Sequence, residues 1–270
     1  MSSRLDFGKE KPLIMAHRGD PSSAPENTIQ AMRKAVEIGV DVLETDVRLT
    51  SDNKLVLFHD DDLMRVTGLE GTVRDLTLVE LEQVDMGDQF TNDDGKTFPF
   101  KGQGYSIVKL SDALEEFPDM RFNLDIKDDA IEAPELLADL ITEIGRESSV
   151  IVSSFHDRQL ERFRRILPVV PTAAHPGEVS RFVFALKARV ASVFVRNPQF
   201  QAFQVPMKYG RIQVVEPRFV KAAHERGIAV HVWTINERED MEYLIDLGID
   251  GIFTDNPSLM REVLSDRGLL

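Results

Sequence analysis

Glu44 and Asp46 stand two residues apart in the run Val42-Leu43-Glu44-Thr45-Asp46-Val47. On a β-strand that spacing points both carboxylates to the same side. Two carboxylates held on one inward face repel each other, so they need a cation or a proton between them. Asp125, in Asn123-Leu124-Asp125-Ile126-Lys127, could supply a third oxygen. An all-oxygen donor set in a chain without cysteine suits Mg2+ or Ca2+ better than zinc. His17 and His59 follow two different apolar runs and can face each other across a pocket, an arrangement suited to acid–base work near neutral pH. Arg18 and Lys127 add positive charge of the kind a phosphate oxygen attracts, unless each pairs with a neighbouring carboxylate. His156, His175 and His224 read as structural, whereas His231, two residues before Trp233 on one strand face, is a weaker candidate for the site. There is no Gly-rich phosphate loop of the Walker or dinucleotide type.

The elements that must carry these residues are short. Leu13 to Ala16 reads as a buried strand that runs into His17-Arg18-Gly19-Asp20. Val42 to Val47 and Leu55 to Phe58 read as the next two strands, joined at the polar turn Ser51-Asp52-Asn53, and the second leads into His59-Asp60. Phe122 to Ile126, Val150 to Val152, Phe203 to Val205, Ile212 to Val215, Ile228 to Ile235 and Gly251 to Phe253 continue the series, with a less apolar run at Pro171 to Ala174. Helical periods lie between them, beginning with Asn27 to Gly39, where Asn27 is expected to cap. About eight strand–helix units imply parallel strands with crossover helices. A doubly wound open sheet would show the same alternation. The collection of polar residues at strand C-terminal ends favours a (β/α)8 TIM barrel, whose functional residues converge on that edge. Residues Asp60 to Lys109 break the rhythm and are expected to form an insertion, a lid or small subdomain within a single domain spanning 1–270.

Composition narrows the class. The 270 residues carry a net charge of −14, which disfavours a nucleic-acid binder and a polybasic grip on anionic lipid. A hydrophobic share of 42% with 29% charged residues describes a soluble globular protein. The absence of cysteine excludes disulfides, thiolate nucleophiles and Cys-ligated zinc. The start, Met1 to Pro12, has no apolar leader, and the apolar-rich stretch Arg181 to Val195 is interrupted by Lys187, Arg189 and Ser192. A cytoplasmic protein without stable membrane insertion is expected.

In order along the chain, His17-Arg18-Gly19, Pro25-Glu26-Asn27-Thr28, Glu44-Thr45-Asp46-Val47, His59-Asp60 and Asp125-Ile126-Lys127 resemble the glycerophosphodiester phosphodiesterase family. Ala223-His224, Val232-Trp233-Thr234, Gly248-Ile249-Asp250-Gly251 and Thr254-Asp255-Asn256-Pro257 are similar to that family's ending, so the likeness spans about His17 to Pro257. The resemblance implies a (β/α)8 barrel with an insertion after the strand bearing His59. It implies a divalent metal, Mg2+ or Ca2+, on Glu44, Asp46 and Asp125. His17 and His59 would form the acid–base pair, Arg18 and Lys127 would hold the phosphate, and Trp233 would face the head group. The implied reaction cleaves a glycerophosphodiester to sn-glycerol 3-phosphate and an alcohol, by internal attack of the glycerol 2-hydroxyl and then opening of a cyclic phosphate by water. One departure stands out: Asp125 replaces the family's more frequent Glu and is one methylene shorter. A lysophospholipid is the rival substrate, with Phe182, Phe184, Phe194, Phe200 and Phe203 as an acyl groove, although most of these also suit a core. A barrel that binds glycerophosphodiesters without turnover is the rival of another class.

Overall fold

The computed structural model describes residues 11–188 and 198–270. Its strands are β1 (Leu13–His17), β2 (Val42–Leu49), β3 (Leu55–Leu57), β4 (Arg121–Ile126), β5 (Val150–Ser153), β6 (Ala202–Pro206), β7 (Lys208–Tyr209), β8 (Ile212–Gln213), β9 (Ala229–Trp233) and β10 (Gly251–Thr254). Its helices are α1 (Ile29–Ile38), α2 (Met64–Thr67), α3 (Leu78–Leu81), α4 (Leu110–Glu116), α5 (Ala133–Glu143), α6 (Asp157–Ile166), α7 (Pro176–Lys187), α8 (Pro217–His224), α9 (Arg238–Asp246) and α10 (Pro257–Asp266). Seven strands form one curled parallel sheet in the order β5-β4-β2-β1-β10-β9-β6. Its two end strands meet through the less apolar run. Thr172 bridges Val152 and Ala173 bridges Ala202, both in parallel, with hydrogen bonds of 2.9 Å from Ala173 N to Val152 O and 2.8 Å from Ala174 N to Ala202 O.

Strand parity decides which side chains meet. Ile14, Ala16, Leu43, Phe122 and Leu124 pack outward into the large core shared with the helices. Leu13, Met15, Val42 and Phe253 alternate with them and form a small inner cluster, against which Trp233 packs. Because side chains repeat every second residue, His17, Glu44, Asp46 and Asp255 continue that inner parity.

Two local expectations change. The run Leu55 to Phe58 is not one of the parallel set: β3 turns back along β2, with Val47 opposite Leu57 and Leu49 opposite Leu55. Its linker is short enough for a hairpin, whereas a parallel return needs a crossover of a dozen or more residues. The reversal brings His59 back toward β2, where Phe58 N donates to Asp46 O at 3.1 Å. The run Ile212 to Val215 is likewise only one arm of the small β7–β8 hairpin. From there, the stretch after His59 builds its own apolar cluster, in which Phe58, Leu63, Val73, Leu81, Met86 and Ile107 are buried with Val56.

Helix α1 begins one residue later than its sequence suggests. Thr28 is the cap, its hydroxyl accepting from Ala31 N at 3.2 Å, while Asn27 sits at φ 57° and turns its side chain elsewhere. Gly19, at φ 88°, is required by the same turn: a Cβ there would lie 2.7 Å from the carbonyl carbon of Ala31. Among the described residues no helix is long and apolar enough to cross a membrane.

Candidate active site

Three neighbouring strands bring the inner residues to one edge of the sheet. Register sets Glu44 beside Asn123 and Asp46 beside Asp125, and pairs His17 with Glu44 across β1 and β2. His17, Arg18, Glu44, His59, Asp125 and Lys127 all line one cavity of about 710 Å3, and Trp233 lines it too. Asp46 is fully buried and does not line it.

Each of the two histidines is held by a carboxylate. His17 Nδ1 lies 2.6 Å from Asp255 Oδ1, and His59 Nδ1 lies 2.6 Å from Asp60 Oδ1. A carboxylate accepts and does not donate, so Nδ1 carries the proton in both rings and Nε2 is left to exchange one. The His17 Nε2 atom is 4.0 Å from Glu44 Oε2. Burial opposes a charge on His17, but the Glu44 carboxylate and the hydrogen bond to Asp255 outweigh it, and the pKa is raised. Asp255 is itself fixed by Asn236, whose Nδ2 donates to Asp255 Oδ2 at 2.8 Å. Arg65 fixes the other pair by donating from Nε to Asp60 Oδ2 at 2.5 Å.

The acids and cations form an alternating chain. Arg65 also donates to both oxygens of Glu26, at 2.8 and 2.6 Å. Arg18 donates to Glu26 at 2.9 Å, and its Nε lies 3.0 Å from Asp46 Oδ2. Asp46 Oδ1 is 3.1 Å from Lys127 Nζ, which donates to Asp125 Oδ2 at 2.6 Å. Both cations expected at a phosphate are therefore paired with carboxylates. Burial alone would raise the Asp46 pKa, but Lys127, Arg18 and the hydrogen bond from Asn27 hold it at about 2. Glu44 goes the other way: burial and the neighbouring Asp46 charge push it to about 7. Lys127 is driven up despite its burial by Asp125 and Asp46.

The donor set has spare capacity for a cation. Asp125 Oδ1 is buried without a hydrogen-bond partner, Asp46 Oδ1 has the Lys127 ammonium at 3.1 Å, and burial together with the Asp46 charge raises the Glu44 carboxyl. Hard oxygen donors of this kind fit Mg2+ or Ca2+. The present arrangement differs from the expected cluster in one respect. Among the described residues no three such groups converge on one point, and the Lys127 ammonium lies between Asp46 and Asp125.

Several residues at the site were not singled out as chemical from sequence. Asn27 donates to Asp46 Oδ2 at 2.9 Å and accepts from the Thr45 hydroxyl at 2.7 Å, which explains why it does not cap α1. Its identity as a good cap masked its other common property, tolerance of positive φ. Arg65, Glu26, Asn236 and Asp255 carry no periodic signal, because their partners lie far off in the chain. His231 is fully buried and does not line the cavity. His156, His175 and His224 also lie outside it. Of the aromatic residues weighed for an acyl groove, Phe182, Phe200 and Phe203 belong to the core, Phe184 is exposed at the cavity, and Phe194 lies outside the described residues.

Comparison with known proteins follows the same outline. The family model for the "Glycerophosphoryl diester phosphodiesterase family" matches residues 17–259. A glycerophosphodiester phosphodiesterase of Caldanaerobacter subterraneus subsp. tengcongensis is 33% identical over 265 residues, spanning 96% of this chain and 100% of that one. A probable glycerophosphodiester phosphodiesterase 2 of Mycobacterium tuberculosis is 34% identical over 260 residues, spanning 95% and 92%. The crystal structure of a glycerophosphoryl diester phosphodiesterase domain from the same bacterium superposes with a TM-score of 0.81 at 21% identity, covering 93% of this chain and 98% of that one, and its likeness is one of fold.

Proposed function

The chain belongs to the glycerophosphoryl diester phosphodiesterase family, a family of hydrolases, and from that premise we propose that it cleaves glycerophosphodiesters to sn-glycerol 3-phosphate and an alcohol. The observation that carries the residue roles is the pair of imidazoles on one cavity, each with Nδ1 held by an aspartate at 2.6 Å. On this reading the curled sheet, joined end to end at Thr172-Ala173, is a (β/α)8 barrel. The stretch 60–109 is its insertion, a lid subdomain within a single domain over 1–270.

The chemistry follows from positions. A glycerol 2-hydroxyl beside the phosphorus attacks internally, with the large advantage of a reaction within one molecule. One histidine accepts the hydroxyl proton at Nε2, and the other delivers its Nε2 proton to the leaving alkoxide. Water then opens the cyclic phosphate with the two roles exchanged. Arg18 and Lys127, each with donors beyond those given to carboxylates, hold the phosphate oxygens, and Trp233 meets the head group. Glu44, Asp46 and Asp125 would hold a divalent cation, which supplies charge stabilisation to the phosphate oxygens when bound.

A panel of glycerophosphodiesters assayed with Mg2+, Ca2+ or chelator tests the reading. Release of glycerol 3-phosphate is expected with at least one metal and loss of it with chelator, and a panel silent under every condition would overturn the reading. Melting temperature supplies a readout that needs no turnover. Because burial and the Asp46 charge raise the Glu44 carboxyl to about 7, a cation bound there must displace its proton below that pH. The rise in melting temperature on adding metal is therefore expected to grow as pH is raised through neutrality. A metal effect that is flat with pH would remove Glu44 from the ligand set.

Arg65 gives a second expected outcome. It touches Asp60 and Glu26 but does not line the cavity, so it positions His59 and Arg18 and does not meet substrate. Misplacement of a reacting group by about 1 Å can cost about 100-fold. Arg65→Ala is expected to lower kcat by roughly 10- to 100-fold, with KM changed less. Arg65→Lys keeps the charge, loses the fork, and should fall between. A kcat within two-fold of wild type for Arg65→Ala would remove the positioning role.

A further inference from the structure

Where the β4–β5 ladder stops, side chains take over from it. Register runs as far as Asp125 beside Ser153. Beyond that pair, the carbonyls of Ile126, Lys127 and Asp128 are each met by a side chain from the stretch that leads out of β5 into α6. Ser154 donates from Oγ to Ile126 O at 2.7 Å, His156 from Nε2 to Lys127 O at 3.1 Å, and Gln159 from Nε2 to Asp128 O at 2.9 Å. On the β2 flank, Lys127 N donates to Val47 O at 3.1 Å and Leu49 N to Asp128 Oδ2 at 2.8 Å. The backbone of Lys127 is thus gripped from both sides, where a strand passing into a loop is ordinarily looser. Phe155, between the first two of those donors, covers the side chain. Its ring centroid is 5.4 Å from Lys127 Nζ, within reach of a cation–π contact. The ring is 57% exposed, lines the cavity and meets Trp233 edge to face at 5.6 Å. Elsewhere the cavity lining is an apolar wall, with Val183 and Phe184 from α7 and Tyr209 and Ile212 from the β7–β8 hairpin. Phe155 is set apart from that wall by the ammonium it covers.

A lysine is a compact charge on a flexible stem, and its ammonium follows the strongest nearby field. Here that field belongs to two carboxylates, at 3.1 Å to Asp46 Oδ1 and 2.6 Å to Asp125 Oδ2. Both draw it inward, since Asp46 is fully buried and Asp125 is nearly so. We propose that Phe155 and His156 are positioning residues for Lys127. His156 fixes the backbone from which the side chain springs, and Phe155 holds the ammonium at the cavity surface, where a phosphate oxygen meets it. On the phosphodiesterase reading, on which this rests, neither residue touches the reacting atoms. His156 lies outside the cavity, and the Phe155 ring has no hydrogen-bond donor to offer a phosphate. Both act through the lysine. Ser154 and Gln159 are buried, so replacing them disturbs the fold as well as the lysine. Phe155 and His156 are exposed and can be exchanged with little cost to stability.

Steady-state kinetics on glycerophosphocholine and calorimetric titration with inorganic phosphate test this. His156→Ala and Phe155→Leu should each lower kcat/KM by about ten-fold, mainly through kcat, with the melting temperature little changed. His156→Gln, whose amide nitrogen can reach the same carbonyl, and Phe155→Tyr, which keeps the ring face, should each recover to within about two-fold of wild type. In a Lys127→Met background, His156→Ala and Phe155→Leu should each cost less than about two-fold, because the group they act through is gone. The titration needs no turnover. Inorganic phosphate should bind roughly five-fold more weakly to His156→Ala than to wild type, and His156→Gln should recover the loss. That comparison decides the matter even where Lys127→Met is too unstable to assay. Single-variant kcat/KM values within about two-fold of wild type, or losses that add in full to that of Lys127→Met, would overturn the positioning role and leave the phosphodiesterase reading intact. A wild type that turns over no diester, yet binds phosphate with the same dependence on His156, would overturn the catalytic reading and support the positioning role.

Discussion

Alanine at position 17 is expected to lower kcat for a glycerophosphodiester by about 10²- to 10⁴-fold, the range for loss of a positioned acid or base. The size follows from how completely the ring is committed. Its Nδ1 is held by Asp255 at 2.6 Å, its Nε2 faces Glu44 at 4.0 Å, and 18% of its side chain remains exposed, on the cavity side. The pH profile supplies a sharper readout. Burial disfavours the imidazolium, while Glu44 and Asp255 favour it and prevail, so the raised pKa keeps His17 charged further into the neutral range. Asp255→Asn removes one of those supports. The limb of the kcat/KM profile that belongs to His17 should therefore move to lower pH. His17→Ala that keeps more than a tenth of wild-type kcat with an unchanged melting temperature would end the assignment.

Lys127→Met is expected to produce the largest loss of stability of any single change at the site. Its ammonium lies 3.1 Å from Asp46 Oδ1 and 2.6 Å from Asp125 Oδ2, and Asp46 is fully buried. Removing one partner of a buried ion pair leaves an uncompensated charge and costs about 3–5 kcal/mol. The sign with pH can be worked out. The Asp46 carboxyl has a folded pKa of about 2, below its usual 3.8, so it contributes stability above 3.8 that is lost as pH falls toward 2. Without Lys127 that carboxyl rises, and the folded state then binds the extra proton. The difference in melting temperature between wild type and variant should therefore widen from pH 4 to pH 8. Activity should fall as well, since the ammonium is one of the two cations beside the proposed phosphate position. A variant as stable as wild type at pH 8 would show that Lys127 is not what neutralises Asp46.

The positions of the chemical residues were legible because strand parity is. His17, Glu44, Asp46 and Asp125 could be grouped from sequence alone, since each follows or lies within an apolar run with a two-residue repeat. The second residues in each contact were not. Asp255 reaches His17 across 238 positions and Arg65 reaches Glu26 across 39, and nothing local in the chain announces either pairing. Direction was a different kind of miss. Leu55 to Phe58 has the composition of any buried strand, and only the shortness of Ser51-Asp52-Asn53 and its flanks distinguishes a hairpin from a crossover. Among the aromatics, Phe182 and Phe184 are two apart on a helix and so point to different sides, which places one in the core and the other at the cavity. Phe155 stood outside every periodic pattern that was read.

The join at Thr172-Ala173 divides the residues around the cavity between two sectors of the sheet. His17, Glu44, Asp46 and Asp125 hang on β1, β2 and β4, where β2 and β4 alone share six consecutive pairs. The apolar wall hangs on α7 and the β7–β8 hairpin, which flank the stretch where sheet continuity rests on two isolated bridges. Substitutions in that second sector are therefore expected to reshape the cavity while leaving the His17–Asp255 and His59–Asp60 contacts in place.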